Sequence, residues 1–105
     1  MPDLTATVEH ADGRALIVLD GEVNRTASEP LRAAWAEATV DGQDVVIDFG
    51  KMTYLNSSGI AVLVGLLADA RVNGVAVAAR DLDDHFRHVF EITRIADLME
   101  METSS

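Results

Sequence analysis

Two adjacent hydroxyls mark the place where this chain invites chemical modification: Asn56-Ser57-Ser58-Gly59 lies between the apolar run Val45 to Phe49 and the apolar block Ile60 to Leu67. A strand-like run, a polar turn and a second apolar block put these residues at the start of a helix. A helix start leaves backbone N–H groups unpaired and carries a partial positive charge, so hydroxyl and amide side chains cap it and an added anion is tolerated there. The plainest role for Asn56 or Ser57 is that of the cap. The other role is a switch, installed by adding negative charge at one of the hydroxyls.

Other constellations that could do chemistry are poor. His10, His85 and His88 are the only histidines, and none stands near a Ser in a G-x-S-x-G setting. Asp84, His85 and His88 could reach a metal from one helical turn, but they fall on the polar face opposite Phe86 and Phe90, where solvated charges are the ordinary occupants. Gly59 and Gly65 make no phosphate-binding loop, because no G-x-x-x-x-G-K-[ST] is present and Lys51 is the only lysine. The sequence therefore calls for no catalysis, no metal and no cofactor.

Charge narrows the partners. The formal net charge is −10, from 18 acidic and 8 basic residues, and the excess is spread along the chain rather than gathered in a tail. Binding to a phosphate backbone needs clustered Lys and Arg that release counterions, so direct nucleic-acid binding is not expected. Anionic membrane surfaces are disfavoured for the same reason. The longest apolar stretch, Ile60 to Ala68, is far short of the roughly 20 residues that span a bilayer. The N-terminus shows neither a basic leader nor an apolar signal core, and there is no Cys, so a cytoplasmic location is expected.

The elements that must hold the turn can be read from periodicity. At 105 residues the chain has room for one core and one domain. Leu4 to His10 alternates as a strand, Asp12-Gly13 suits a hairpin, and Arg14 to Leu19 returns as a second strand. Leu31, Ala34, Trp35 and Ala38 give a helix over about 27–40, with Thr26 and Glu29 resembling a capping box and Pro30 in the first turn. Val45 to Phe49 reads as a central strand covered on both faces.

A second helix over 59–72 places Ile60, Leu63, Val64, Leu67 and Ala70 on one face, yet it is apolar over more than that stripe, so a neighbouring helix or a partner must cover the remainder. Asn73-Gly74 ends it; Val75 to Ala79 is a short strand, Leu82 to Ile92 a third helix, and 95–102 a turn with an edge strand. Residues 103–105 are expected to be a disordered tail. The order β-β-α-β-α-β-α-β predicts an α/β fold: a mixed, mostly parallel sheet with helices mainly on one side, and Trp35, Leu63, Leu67, Phe86 and Phe90 in one core.

This order carries a set of motifs. Gly21-Glu22-Val23-Asn24 before the first helix, Val45-Val46-Ile47-Asp48-Phe49, Leu55-Asn56-Ser57-Ser58-Gly59-Ile60 and Val89-Phe90-Glu91-Ile92-Thr93 together resemble the STAS domain, and more narrowly the bacterial anti-sigma factor antagonists, over residues 4–102. In that family the first Ser of the turn is phosphorylated by an anti-sigma factor that is itself a serine kinase, so the resemblance implies Ser57 as phosphoacceptor. It implies a partner-binding surface of Glu22, Asn24, Arg25, Thr26, Asn56, Ser57, Ser58, Gly59 and Val62. The implied protein partners are that kinase and a serine phosphatase that resets the switch. The family usually carries Asp where this chain has Asn24 and Asn56, which removes two carboxylates from the implied surface. The alternative that the resemblance leaves open is a constitutive STAS interaction or scaffold domain without a switch.

Overall fold

A computed structural model describes residues 3–102; the tail expected at 103–105 lies outside the described residues. The chain opens with strands β1 (Leu4–Ala11) and β2 (Arg14–Val23), joined by Asp12 and Gly13, both at positive φ. Helix α1 (Ser28–Ala38) follows a single 3-10 turn (Arg25–Ala27), and then come β3 (Asp44–Leu55), α2 (Ser57–Val72), β4 (Val77–Arg80), α3 (Asp84–Ile92), a second 3-10 turn (Ile95–Leu98) and β5 (Glu100–Glu102). The five strands lie side by side in chain order. β1 pairs antiparallel with β2, and every later neighbour pair is parallel, so β3 is central as the sequence predicts.

Alternation along the strands decides where the core sits. Ala15, Ile17 and Leu19 of β2, Val45, Ile47 and Phe49 of β3, and Val77 and Ala79 of β4 share one buried cluster with the inward stripes of the helices. Right-handed crossovers between strands laid down in one direction put all three helices on that face. Trp35, Leu63, Leu67 and Phe90 are buried there, and the Phe49 and Phe90 rings meet edge to face with centroids 5.2 Å apart. Trp35 also donates from its indole N–H to Asp69 at 2.9 Å, tying α1 to α2. On the other face, Arg14 and Arg80 converge on Glu102 at 2.6 and 3.5 Å and hold β5 to the sheet. The Arg14 hydrogen bond draws the Glu102 carboxyl below its usual range. That stabilisation is therefore present at neutral pH and is lost as acid titrates the carboxylate in the folded state.

Several boundaries and faces differ from the sequence reading. Phe86 is only partly buried, on a helix whose buried residue is Phe90. On α2 the inward face is Gly59, Leu63, Leu66, Leu67 and Ala70, while Val64 is 39% exposed and Ile60 half-buried. No Thr26–Glu29 box forms: α1 has Ala27 at its N-cap and no side-chain cap, and the 3-10 turn before it is capped by Asn24, whose side-chain oxygen takes the Thr26 N–H at 2.9 Å and the Thr26 hydroxyl at 2.7 Å. β3 does not stop at Phe49. It continues to Leu55 alongside β2, with two register shifts that each insert one extra residue on β3.

That long β2–β3 pairing delivers the Ser57 turn to its position. It ends at Val23↔Leu55, the Asn56 N–H reaches the Val23 carbonyl at 3.3 Å, and the first turn of α2 presses on the same carbonyl. A Cβ on Gly59 would lie 2.0 Å from the Val23 oxygen, so only glycine permits this approach.

Two measurements test this packing. Leu67→Ala should lower unfolding stability by about 2–5 kcal/mol, the usual cost for a buried Leu; an unchanged denaturation midpoint would take Leu67 out of the core. Gly59→Ala adds a single methyl group yet should cost about 1–3 kcal/mol, because α2 must lift from Val23 to admit it. Equal midpoints for Gly59→Ala and the native chain would mean that the helix does not seat on that carbonyl.

Candidate functional site

The candidate site is built where β2 and β3 end together. Each strand hands over to a helical turn through an asparagine in extended conformation: Asn24 caps the 3-10 turn and Asn56 caps α2. The Asn56 side-chain oxygen accepts the Gly59 N–H at 2.9 Å, and the Asn56 carbonyl accepts the Ile60 N–H at 2.9 Å. Asn56 is therefore the N-cap, and Ser57 is the first residue inside the helix. The caps are satisfied without either serine. Both serines are exposed, and among the described residues neither hydroxyl is engaged in a hydrogen bond. As the first two helical residues, they also have backbone N–H groups with no intrahelical partner.

The geometry brings most of the expected surface together. Glu22 pairs across the strands with Tyr54, Val23 with Leu55, and the Arg25–Ala27 turn packs against α2. Glu22, Arg25, Thr26, Ser57 and Ser58 are exposed, and Asn24, Asn56 and Val62 are half-buried. Gly59 differs: it is buried against Val23 and shapes the turn from beneath. A residue that the sequence reading left out is Tyr54, 46% exposed beside Glu22. Its signal was the step from strand to turn at Leu55, hidden because the bulge at Thr53 breaks the alternation that would have shown Tyr54 pointing outward.

Asn24 has a third side-chain bond. Its amide donates to the Asp3 carboxylate at 3.2 Å, so an acceptor-only carboxylate at this position would face another carboxylate. Asn56 makes no such contact among the described side chains, and its one side-chain bond is the cap.

Away from this site the chemistry is thin. Asp84, His85 and His88 are all exposed, and no group of three metal-capable side chains occurs among the described residues. No helix of the described residues is long and apolar enough to cross a membrane. The solvent side of α2 carries the exposed Ala61, Val64, Gly65 and Ala68 directly after the serines.

Comparison with known proteins gives this arrangement its context. Residues 6–100 match the family model described as Mlab, STAS domain. BtrV of Bordetella bronchiseptica, named as a candidate anti-sigma factor antagonist, is 32% identical over 100 residues, spanning 93% of this chain and 85% of BtrV. The anti-sigma-B factor antagonist of Bacillus subtilis is 20% identical over 103 residues, spanning 98% of this chain and 94% of its own length. The fold superposes on the anti-sigma factor antagonist SpoIIAA in its unphosphorylated form with a TM-score of 0.73 at 19% identity, covering 96% of this chain and 90% of that one. Against the phosphorylated form of the Bacillus cell fate determinant SpoIIAA the TM-score is 0.72, again at 19% identity, covering 96% of this chain and 92% of the other. With five strands in this order, helices on one face and a match over residues 6–100, the chain belongs to the STAS-domain family, in the company of proteins named as anti-sigma factor antagonists.

Proposed function

We propose that this chain is an anti-sigma factor antagonist, a non-enzymatic, single-domain cytoplasmic module that binds an anti-sigma factor serine kinase, frees its sigma factor and is switched off by phosphorylation of Ser57. The observation that carries the reading is the Ser57 hydroxyl: exposed, without a bond among the described residues, and one residue inside α2, on a turn whose cap and packing are met by Asn56 and Gly59. Names support it from outside, since the relatives include anti-sigma factor antagonists and SpoIIAA occurs in a phosphorylated form.

The mechanism follows from charge. Unmodified, the surface of Glu22, Asn24, Arg25, Thr26, Asn56, Ser57, Ser58 and Val62 docks on the kinase, with the small apolar residues of α2 alongside. A phosphate adds about −1.5 to −2 charges. In a desolvated contact without a cationic partner such a charge costs several kcal/mol, and each ~1.4 kcal/mol is tenfold in affinity. The complex then dissociates. On the free protein the unpaired N–H groups at the start of α2 face the phosphate, so the modified chain keeps its fold. A serine phosphatase resets the switch.

The second reading is a constitutive STAS interaction domain without a switch, and what favours it is Asn56 where the family usually has Asp. Incubation with a candidate kinase and ATP, followed by intact mass, separates the two. The native chain should gain one phosphate and Ser57→Ala none, with kinase binding kept; Ser57→Glu should weaken binding only partly, having less charge than phosphate. Phosphate that persists in Ser57→Ala but vanishes in Ser58→Ala would move the acceptor by one residue. No phosphate on the native chain, with binding intact, would favour the constitutive reading.

Asn56 should tune the rate rather than decide the outcome. A carboxylate would cap Gly59 as an amide does, but it could also orient the neighbouring hydroxyl or accept its proton, against its repulsion of an incoming γ-phosphate. Orientation is expected to win, so Asn56→Asp should be phosphorylated faster in single turnover at saturating kinase, with folding and binding almost unchanged. A rate equal to or below that of the native chain would show that the amide does not slow the transfer.

A further inference from the structure

The two edges of the sheet are treated differently. β5 is three residues long, carries Glu100 and Glu102 and is clamped by Arg14 and Arg80. Shortness and charge are the usual protection of an edge against pairing. β1, at the other edge, is eight residues long, pairs with β2 with no register shift, and from Leu4 to Ala11 contains neither Lys nor Pro.

Its free hydrogen-bonding groups can be located. A two-residue hairpin makes Ala11 and Arg14 a hydrogen-bonded pair, and antiparallel pairing alternates from there. The Glu22 N–H to Asp3 carbonyl bond of 3.0 Å, eight residues along, falls in phase with that alternation. Thr5, Thr7, Glu9 and Ala11 thus bond to β2, while Leu4, Ala6, Val8 and His10 turn their N–H and C=O groups to the open edge. On the helix-covered face Ala6 and Val8 pack against the core but remain only partly buried.

We propose that this edge joins two copies of the chain, β1 against β1, in a twofold-symmetric dimer with one continuous sheet. Antiparallel pairing about Thr7 sets Ala6 opposite Val8 and Leu4 opposite His10, so every outward group meets an outward group. The parity also keeps the faces in register: Thr7 meets its own copy on the open face, Ala6 and Val8 meet on the helix side, and both helix layers lie on one side. Like charge meets only diagonally, where Glu9 of one copy lies on the open face beside Asp3 of the other, whose carboxylate accepts from the Asn24 amide. Glu9, the one carboxylate on β1, stands opposite Thr5 and about 13 Å along the strand from its symmetry mate, beyond a Debye length of about 8 Å in physiological salt.

Sedimentation of the full chain over a dilution series, paired with amide exchange, tests this. The expected result is a dimer that dissociates on dilution, with the Ala6 and Val8 amides protected when concentrated and exchanging freely when dilute. Ala6→Pro removes an outward N–H and no bond to β2, so it should stay monomeric with its denaturation midpoint nearly kept. A chain that is monomeric at every concentration overturns the proposal, including the case in which this edge accepts a strand from another protein. A dimer with freely exchanging Ala6 and Val8 amides, or one that survives Ala6→Pro, also overturns it. Should Ala6→Pro fail to fold, the exchange pattern of the native chain decides.

Discussion

The contact on which the site depends is the seating of α2 on the Val23 carbonyl. β2 and β3 run together as far as Val23↔Leu55, and the chain then has one residue, Asn56, in which to turn from strand to helix. It can do so because the Asn56 N–H and the bare Cα of Gly59 both meet that one oxygen. The same seating fixes the direction in which Leu63, Leu66, Leu67 and Ala70 enter the core. Burial of that stripe supplies most of the helix's stability, since its intrinsic propensity is interrupted by two glycines. A shift at this point would therefore reach both the core and the exposed serines.

The two departures from the family's usual Asp have different physical settings. At Asn24 the amide works in both directions, accepting from Thr26 and donating to Asp3, so in an acidic chain it answers a neighbouring carboxylate. A local fold requirement is enough to account for it. At Asn56 the side-chain oxygen alone is engaged, and a carboxylate oxygen would fill that role equally well. Nothing in the surrounding packing asks for the amide there, so its consequences belong to the chemistry at Ser57 rather than to the fold.

What was legible in the sequence was whatever a period could show. Strand order, the three helices and the edge strand followed from alternation, 3.6-residue stripes and the Asp-Gly and Asn-Gly breaks, because those signals come from burial on one face. The far half of β3 was not legible: Gly50 to Leu55 carries two inserted residues, and beyond Asp48 it pairs with β2 alone, so both the alternation and the double-sided burial stop at Phe49. The inward face of α2 was misjudged at Val64 and Leu66 because a helix apolar nearly all round offers no contrast from which to choose. Thr26 and Glu29 matched a capping pattern, but Asn24 reached the free N–H first, a competition that spacing alone does not rank. In the candidate site the serines and caps were visible as residue types. Tyr54 became visible only with the bulge that aims it, and the burial of Gly59 only with the path of β2.

Within four residues the turn separates what folds the protein from what is available to a partner. Asn56 caps, Gly59 packs, and among the described residues Ser57 and Ser58 between them contribute neither a side-chain bond nor burial. Negative charge added to either hydroxyl breaks no existing contact and lies at the positive end of a 16-residue helix, where its interaction with the chain is favourable or neutral. The same charge is unfavourable to any apolar or acidic surface pressed against the turn. A modification at this place therefore acts on association while leaving the fold nearly untouched, and it can do so only because the cap and the tight packing were assigned to the residues on either side.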